Sequence, residues 1–202
     1  RWGRTGYYYN PLIASKSRYE AGYTVGRDAG KLVIGTSSAV LEGQLISDVF
    51  QGERQIKTPT LNIDGYQQAQ KAAAQRAQLI IGQYMPVFNT STGTLRFGLN
   101  PVADEILFES NTQSIADGLN LETALPTERQ GKIVLDSDRL NGFELGAIKA
   151  SAMQQITVNG ALKVADGGEI TLFTPKVAIN ASLTAHSGSI NAGNILNQPD
   201  VN

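Results

Sequence analysis

The chain is expected to be all-β, wound as a parallel β-helix (β-solenoid) with one inserted α-helix near residues 66–82. Three observations carry that expectation: a Gly-led unit that recurs along the chain, the shortness of the apparent strands, and a high content of turn formers. The unit is Gly, one polar residue, then apolar, variable, apolar, which describes a short strand entered through a turn. Its copies are Gly30-Lys31-Leu32-Val33-Ile34, Gly93-Thr94-Leu95-Arg96-Phe97, Gly131-Lys132-Ile133-Val134-Leu135, Gly168-Glu169-Ile170-Thr171-Leu172 and Gly188-Ser189-Ile190-Asn191-Ala192. Successive glycines stand 63, 38, 37 and 20 residues apart, near three, two, two and one multiples of a coil of roughly 19–21 residues. Ile133, Ile170 and Ile190 are therefore expected to share one interior column.

Between these copies lie further short alternating runs, namely Ile156-Thr157-Val158, Leu162-Lys163-Val164, Val177-Ala178-Ile179 and the Ala181/Leu183 pair. Strands this short bury little surface in a two-layer sandwich, but they suffice if each stacks on its counterpart in the next coil. The antiparallel sandwich is the alternative, and the scarcity of hairpin signals followed by longer strands weighs against it. The 21 glycines and 13 asparagines suit tight corners, because both residues tolerate positive φ; Asn141-Gly142, Asn159-Gly160 and Gly167-Gly168 are the expected sites. Residues 66–82 break the pattern. They are rich in Ala and Gln and lack Pro or an internal Gly, which predicts a helix with Asp64 as N-cap and Gly82 as its stop. Its polar face would carry Gln67, Lys71, Gln75 and Gln78, the candidate partner-contact residues. The insertion as a whole is expected over 65–84, and residues 110–130 read as a loop or long corner.

The 202 residues predict one body with a sizeable core. With 41% hydrophobic and 17% charged residues, the chain is too apolar for a disordered polymer. A formal net charge of −1 supplies no field for nucleic-acid phosphates, so no nucleic-acid partner is expected. No run of about 18 apolar residues predicts membrane insertion. The absence of cysteine excludes disulfides, thiolate metal sites and thiol nucleophiles. The start at Arg1 shows neither the apolar core nor the cleavage site of a signal peptide, and a piece of a longer chain is expected.

Chemical motifs are sparse. His186, the single histidine, precludes a multi-histidine metal site and reads as a solvated corner residue. Asp136 and Asp138 are the one carboxylate pair that could cleave sugars, although a solvated edge pair is the commoner reason for such spacing. Asp104 and Glu105 point to opposite faces if extended. Gly22, Gly26 and Gly30 match a membrane-helix spacing but lie among Arg27, Asp28 and Lys31, so they read as turn glycines. Gly167-Gly168 opens no calcium-binding nonapeptide. The glycosylation-like Asn89-Thr90-Ser91 and Asn180-Ala181-Ser182 are chance-level matches. Trp2, Tyr7, Tyr8, Tyr9, Tyr19 and Tyr23, interleaved with Arg1, Arg4, Arg18 and Arg27, read as an aromatic capping or docking segment over 1–29, with stacking on sugars as the alternative.

The run Tyr19-Glu20-Ala21-Gly22-Tyr23-Thr24-Val25-Gly26-Arg27-Asp28-Ala29-Gly30-Lys31-Leu32, the degenerate coils and the closing Ala181-Ser182-Leu183-Thr184-Ala185-His186-Ser187-Gly188-Ser189-Ile190 resemble the filamentous haemagglutinin-like exoproteins of two-partner secretion systems. The resemblance covers most of the chain, although the helix at 66–82 is no part of the generic repeat. It implies a right-handed parallel β-helix, export through an outer-membrane transporter of a Gram-negative bacterium, and an adhesive or structural role on a secreted or surface-exposed protein. It implies no catalytic residue, cofactor or metal. The partner would be a host-cell or bacterial-surface receptor or glycan. A β-helix polysaccharide-active enzyme and a glycan-binding module are the alternatives.

Overall fold

The computed structural model describes residues 21–57, 69–120 and 122–193. The chain is mostly β, with parallel sheets and two short helices. It divides into two compact units, one formed by Arg1–Arg27 with Phe50–Ala74 and the other by Asp28–Val49 with Gln75–Asn202.

In the first unit a single buried side chain ties three segments together. Gln55, in helix α1 (Glu53–Ile56), accepts at Oε1 from the backbone N–H groups of Gly26 and Gly52, both at 2.7 Å. Its Nε2 donates to the carbonyls of Gly26 at 3.1 Å and Ala72 at 2.8 Å. Every bond a buried amide needs is made. The glycines are required by proximity, since a Cβ on Gly26 would lie 1.7 Å from the Phe50 carbonyl oxygen and one on Gly52 2.0 Å from that of Thr24.

The second unit is built on parallel ladders. The first comprises, in spatial order, β1 (Lys31–Ile34), β2 (Gln78–Ile81), the opening of β7 (Ala147–Val158), β9 (Glu169–Phe173) and β12 (Ser189–Gly193). The second comprises β6 (Lys132–Asp136), β5 (Ala103–Glu109), the remainder of β7 and β10 (Lys176–Ile179). The third is β8 (Leu162–Lys163) beside β11 (Leu183–Thr184). From β7 onward the chain visits first, second, third, first, second, third and first ladder in turn. Each strand pairs with its predecessor at an offset of 20 to 22 residues: Glu169 faces Ala147, Lys176 faces Gln155, Leu183 faces Leu162 and Ser189 faces Glu169.

Register puts like on like. Leu32, Leu79, Ile148, Ile170 and Ile190 form one row, and Ile106, Ile133, Ile156 and Val177 another. Leu79, Ile148, Ile170, Ile106, Ile133 and Ile156 are fully buried in one core cluster, to which Leu162 and Val164 of the third side also belong. A buried aliphatic side chain contributes about 1.5–3 kcal/mol, so these rows dominate the stabilisation. The expected single column is thus corrected: Ile170 and Ile190 share a row, while Ile133 lies in the second ladder.

The expected helix at 66–82 is also corrected. Residues 66–68 lie outside the described residues, 69–77 are irregular, and Gln78–Ile81 form β2. Helix propensities differ by less than about 1 kcal/mol per residue. That is outweighed once Leu79, Ile80 and Ile81 are fully buried between two parallel neighbours, β1 and β7. The last two residues of the insertion expected over 65–84 instead open a β-hairpin, β3 (Gln83–Asn89) with β4 (Thr94–Asn100), paired antiparallel with Asn89 opposite Thr94. The Gly93 copy of the repeat therefore belongs to a hairpin and not to a coil. Gly93 has φ +66° in its turn.

At the corner before the first ladder, stacked backbones approach too closely for a side chain. A Cβ on Gly146 would meet the Arg76 carbonyl oxygen at 2.7 Å, on Gly168 that of Gly146 at 2.5 Å, and on Gly188 that of Gly168 at 2.0 Å. This approach explains the repeated Gly at 168 and 188, whereas Gly30 has open space around it and Gly131 is held at φ +69°. Of the three corner dipeptides, only Gly167-Gly168 uses a positive φ, +77° at Gly167; Gly160 is needed because a Cβ would lie 2.5 Å from Ser137 Oγ. Gly168→Ala should destabilise the protein by about 1–3 kcal/mol, read as a lowered thermal midpoint by circular dichroism. Gly118→Ala, with open space around it, should leave the midpoint nearly unchanged.

Candidate functional site

Strand residues alternate between core and surface, so the first residue of each strand in the first ladder, which follows a corner glycine except at Gln78, lies on the side opposite the Leu32 to Ile190 row; Ala147 is nevertheless covered. This opposite row reads Lys31, Gln78, Ala147, Glu169, Ser189 across successive strands. Small Ala147 between Gln78 and Glu169, and the bare glycine corners beside it, leave a cleft of about 310 Å³. Gln75, Gln78, Glu169 and Ser189 supply its polar rim, and Gly146, Gly168 and Gly188 line it with backbone alone. The backbone there is already consumed by the ladder: Gly146 N–H donates to Ala77 O at 2.8 Å, Glu169 N–H to Gly146 O at 3.0 Å, and Ser189 N–H to Gly168 O at 3.0 Å.

Glu169 is the charged group of this rim. Its burial opposes ionisation, but a 2.7 Å ion pair with Lys149 and a 2.6 Å hydrogen bond donated by Thr171 Oγ1 outweigh that penalty and hold its pKa below the ordinary value. The site is thus locally charge-balanced, with a fixed carboxylate and a fixed ammonium.

The four candidate contact residues do not form one face. Gln67 lies outside the described residues. Lys71 belongs to the first unit, is exposed, and donates its backbone N–H to Arg54 O at 2.8 Å. Gln75 and Gln78 belong to the second unit; Gln75 N–H donates to Asp28 Oδ1 at 2.9 Å, and Gln78 sits in β2. The helical face is replaced by extended chain, which nevertheless brings Gln75 and Gln78 to one cleft. Glu169 and Ser189 were missed as site residues, although the signal was present: they are the polar second residues of two repeat copies.

The carboxylate pair resolves into unlike roles. Asp136 is the N-cap of α2 (Ser137–Gly142), its Oδ1 accepting from Arg139 N–H at 2.9 Å and its Oδ2 from Thr112 N–H at 2.9 Å and Thr112 Oγ1 at 3.0 Å. The Arg139 backbone bond, chiefly, outweighs partial burial and lowers its pKa. An acid held ionised by so many donors is a poor proton donor. Asp138 lies exposed in the first turn of α2. Glu105 forms a 2.7 Å ion pair with Lys132. His186 is exposed at a corner, where its carbonyl accepts from Gly167 N–H at 2.7 Å.

A second cleft of about 410 Å³ lies near Glu42, Ser114, Asp117 and Arg139. The Glu42 carboxylate accepts there from Ser114 Oγ and from Ile115 N–H. Among the described residues no three His, Asp or Glu side chains converge as a metal site, and no helix is long and apolar enough to cross a membrane. The hairpin exposes Met85, Val87, Phe88 and Leu95. Of the aromatic run, Trp2, Tyr7, Tyr8, Tyr9 and Tyr19 lie outside the described residues, whereas Tyr23 carries the Arg54 guanidinium 3.9 Å from its ring centre.

Asp136→Ala should cost about 0.5–2 kcal/mol at pH 7. Because the folded-state pKa is lowered, the contribution of ionised Asp136 is present above the unfolded value and is lost as pH falls through the folded one. Wild type and variant should converge in urea titrations carried into the acid range; an unchanged difference there would contradict the capping role. No family model, curated protein or solved structure matches this chain.

Proposed function

We propose that the second unit is a short run of a parallel β-helix, and that the chain is a structural and adhesive module of a secreted or surface-exposed bacterial exoprotein of the filamentous haemagglutinin-like kind. One observation carries this reading: the cyclic return of the chain to three ladders at offsets of 20 to 22 residues. A strand, a crossover and a parallel strand in the same sheet are right-handed in about 98% of cases, so the helix winds to the right. Coils that each cover the next form a stiff axis, and recognition then falls to surface features, here the glycine-lined cleft and the apolar hairpin. The receptor is a cell-surface protein or glycan, and export runs through an outer-membrane transporter of a Gram-negative cell.

Binding without turnover is favoured over a polysaccharide-cleaving β-helix because Asp136 is occupied as a helix cap. Beads coated with the protein should retain bacterial or epithelial cells above an albumin-coated control, and incubation with neutral and acidic glycans should release no new reducing ends. Retention equal to the control would remove the adhesive role. Turnover abolished by Asp136→Asn and Asp138→Asn would establish the enzyme instead.

A further inference from the structure

We propose that the cleft over the first ladder binds a neutral, linear, hydroxyl-rich chain, an oligosaccharide lying along the stacking direction. The inference deepens the adhesive reading by naming its site and ligand class, and it rests on that reading for its biological use alone.

The geometry selects the direction. Gln78, Ala147, Glu169 and Ser189 are direct neighbours on four successive strands, so their side chains recur at the rung spacing of about 4.8 Å. An extended β-linked hexose chain advances by about one rung per sugar, so successive rings meet the amide of Gln78, the small floor at Ala147, the carboxylate of Glu169 and the hydroxyl of Ser189. The volume of about 310 Å³ falls at the lower end of the range of about 300–1,000 Å³ typical of ligand pockets, as befits an open site for a few sugar rings.

The chemistry selects the class. Amides at Gln75 and Gln78, a carboxylate at Glu169 and a hydroxyl at Ser189 offer donors and acceptors side by side, which is what vicinal hydroxyls require. An extended peptide would need free backbone groups at an open strand edge, whereas the N–H groups of Gly146, Glu169 and Ser189 are spent on the rung below. A polyanion would need a net positive field, and Glu169 is balanced by Lys149 at 2.7 Å. The bare corners let a sugar ring approach the backbone with no Cβ in its way.

The test is a titration of the full isotope-labelled chain with cellohexaose, a hexagalacturonate and a capped hexapeptide, followed by amide shifts. Cellohexaose should shift Gly146, Gly168 and Gly188 in a saturable way, and the other two probes should not. Gln78→Ala and Ser189→Ala should each weaken binding about two- to tenfold with the thermal midpoint unchanged, whereas Asp138→Asn should leave it as in wild type. Absence of a saturable shift at these glycines up to millimolar cellohexaose, equal binding of hexapeptide or hexagalacturonate, or indifference to both cleft variants would overturn the proposal. Cell retention by coated beads without cellohexaose binding would sink the cleft and leave the adhesive reading standing; sugar binding without retention would do the reverse.

Discussion

The constraint on which the second unit depends is the close approach of backbone to backbone at the corner before the first ladder. Gly146, Gly168 and Gly188 each sit over a carbonyl oxygen of the preceding level, at distances no Cβ tolerates. With that contact made, Glu169 N–H reaches Gly146 O and Ser189 N–H reaches Gly168 O, and the strands that follow enter in one register. A slip of one residue would exchange the large buried side chains of Ile148 and Ile170 for the small Ala147 and the charged Glu169. The register that builds the core therefore also builds the cleft.

The apolar rows supply most of the energy, and polar ladders keep the turns in step. On the corner after the second ladder, Asn180 Nδ2 donates to Asn159 Oδ1 and Asn159 Nδ2 to Glu109 Oε1, each at 2.8 Å. Such bonds contribute about 0.5–1.5 kcal/mol each, less than one buried isoleucine, but they align neighbouring corners. Helix α2 shows the same economy on the third side. Asn141 donates from Nδ2 to Ala161 O and accepts at Oδ1 from Lys163 N–H, so one side-chain amide serves β8 as a neighbouring strand would. The ion pairs Lys132 with Glu105 and Lys149 with Glu169 are partly exposed and add little to stability; their effect is to balance each carboxylate locally.

Function follows from where this construction leaves polar groups unburied. Core rows face inward, capping carboxylates such as Asp136 are occupied, and the single histidine lies at an exposed corner. Among the described residues, the open features include the polar cleft with glycine corners, the cleft near Glu42 and Arg139, and a hairpin with apolar side chains in solvent. The recognition we propose falls to the glycine-lined cleft and the hairpin, with the more specific chemistry in the cleft, where Gln78, Glu169 and Ser189 stand on neighbouring strands.

The sequence by itself determined the strand class, the corner glycines Gly168 and Gly188 and several of the strands, because a Gly-polar-apolar-variable-apolar unit leaves few other ways to bury its alternate residues; Gly146, outside any copy of the unit, was not among them. The sequence grouped Gln75 and Gln78 with Gln67 and Lys71 on a helical face, and no helix forms over the described residues of that stretch. Only the tertiary structure decided that residues 78–81 are a strand, that the Gly93 copy belongs to a hairpin, and that Ile133 and Ile170 line different ladders. In each case the deciding energy comes from neighbours distant in the chain, β1 and β7 for Leu79 and Ile80, β5 for Ile133, and local propensity carries no record of them.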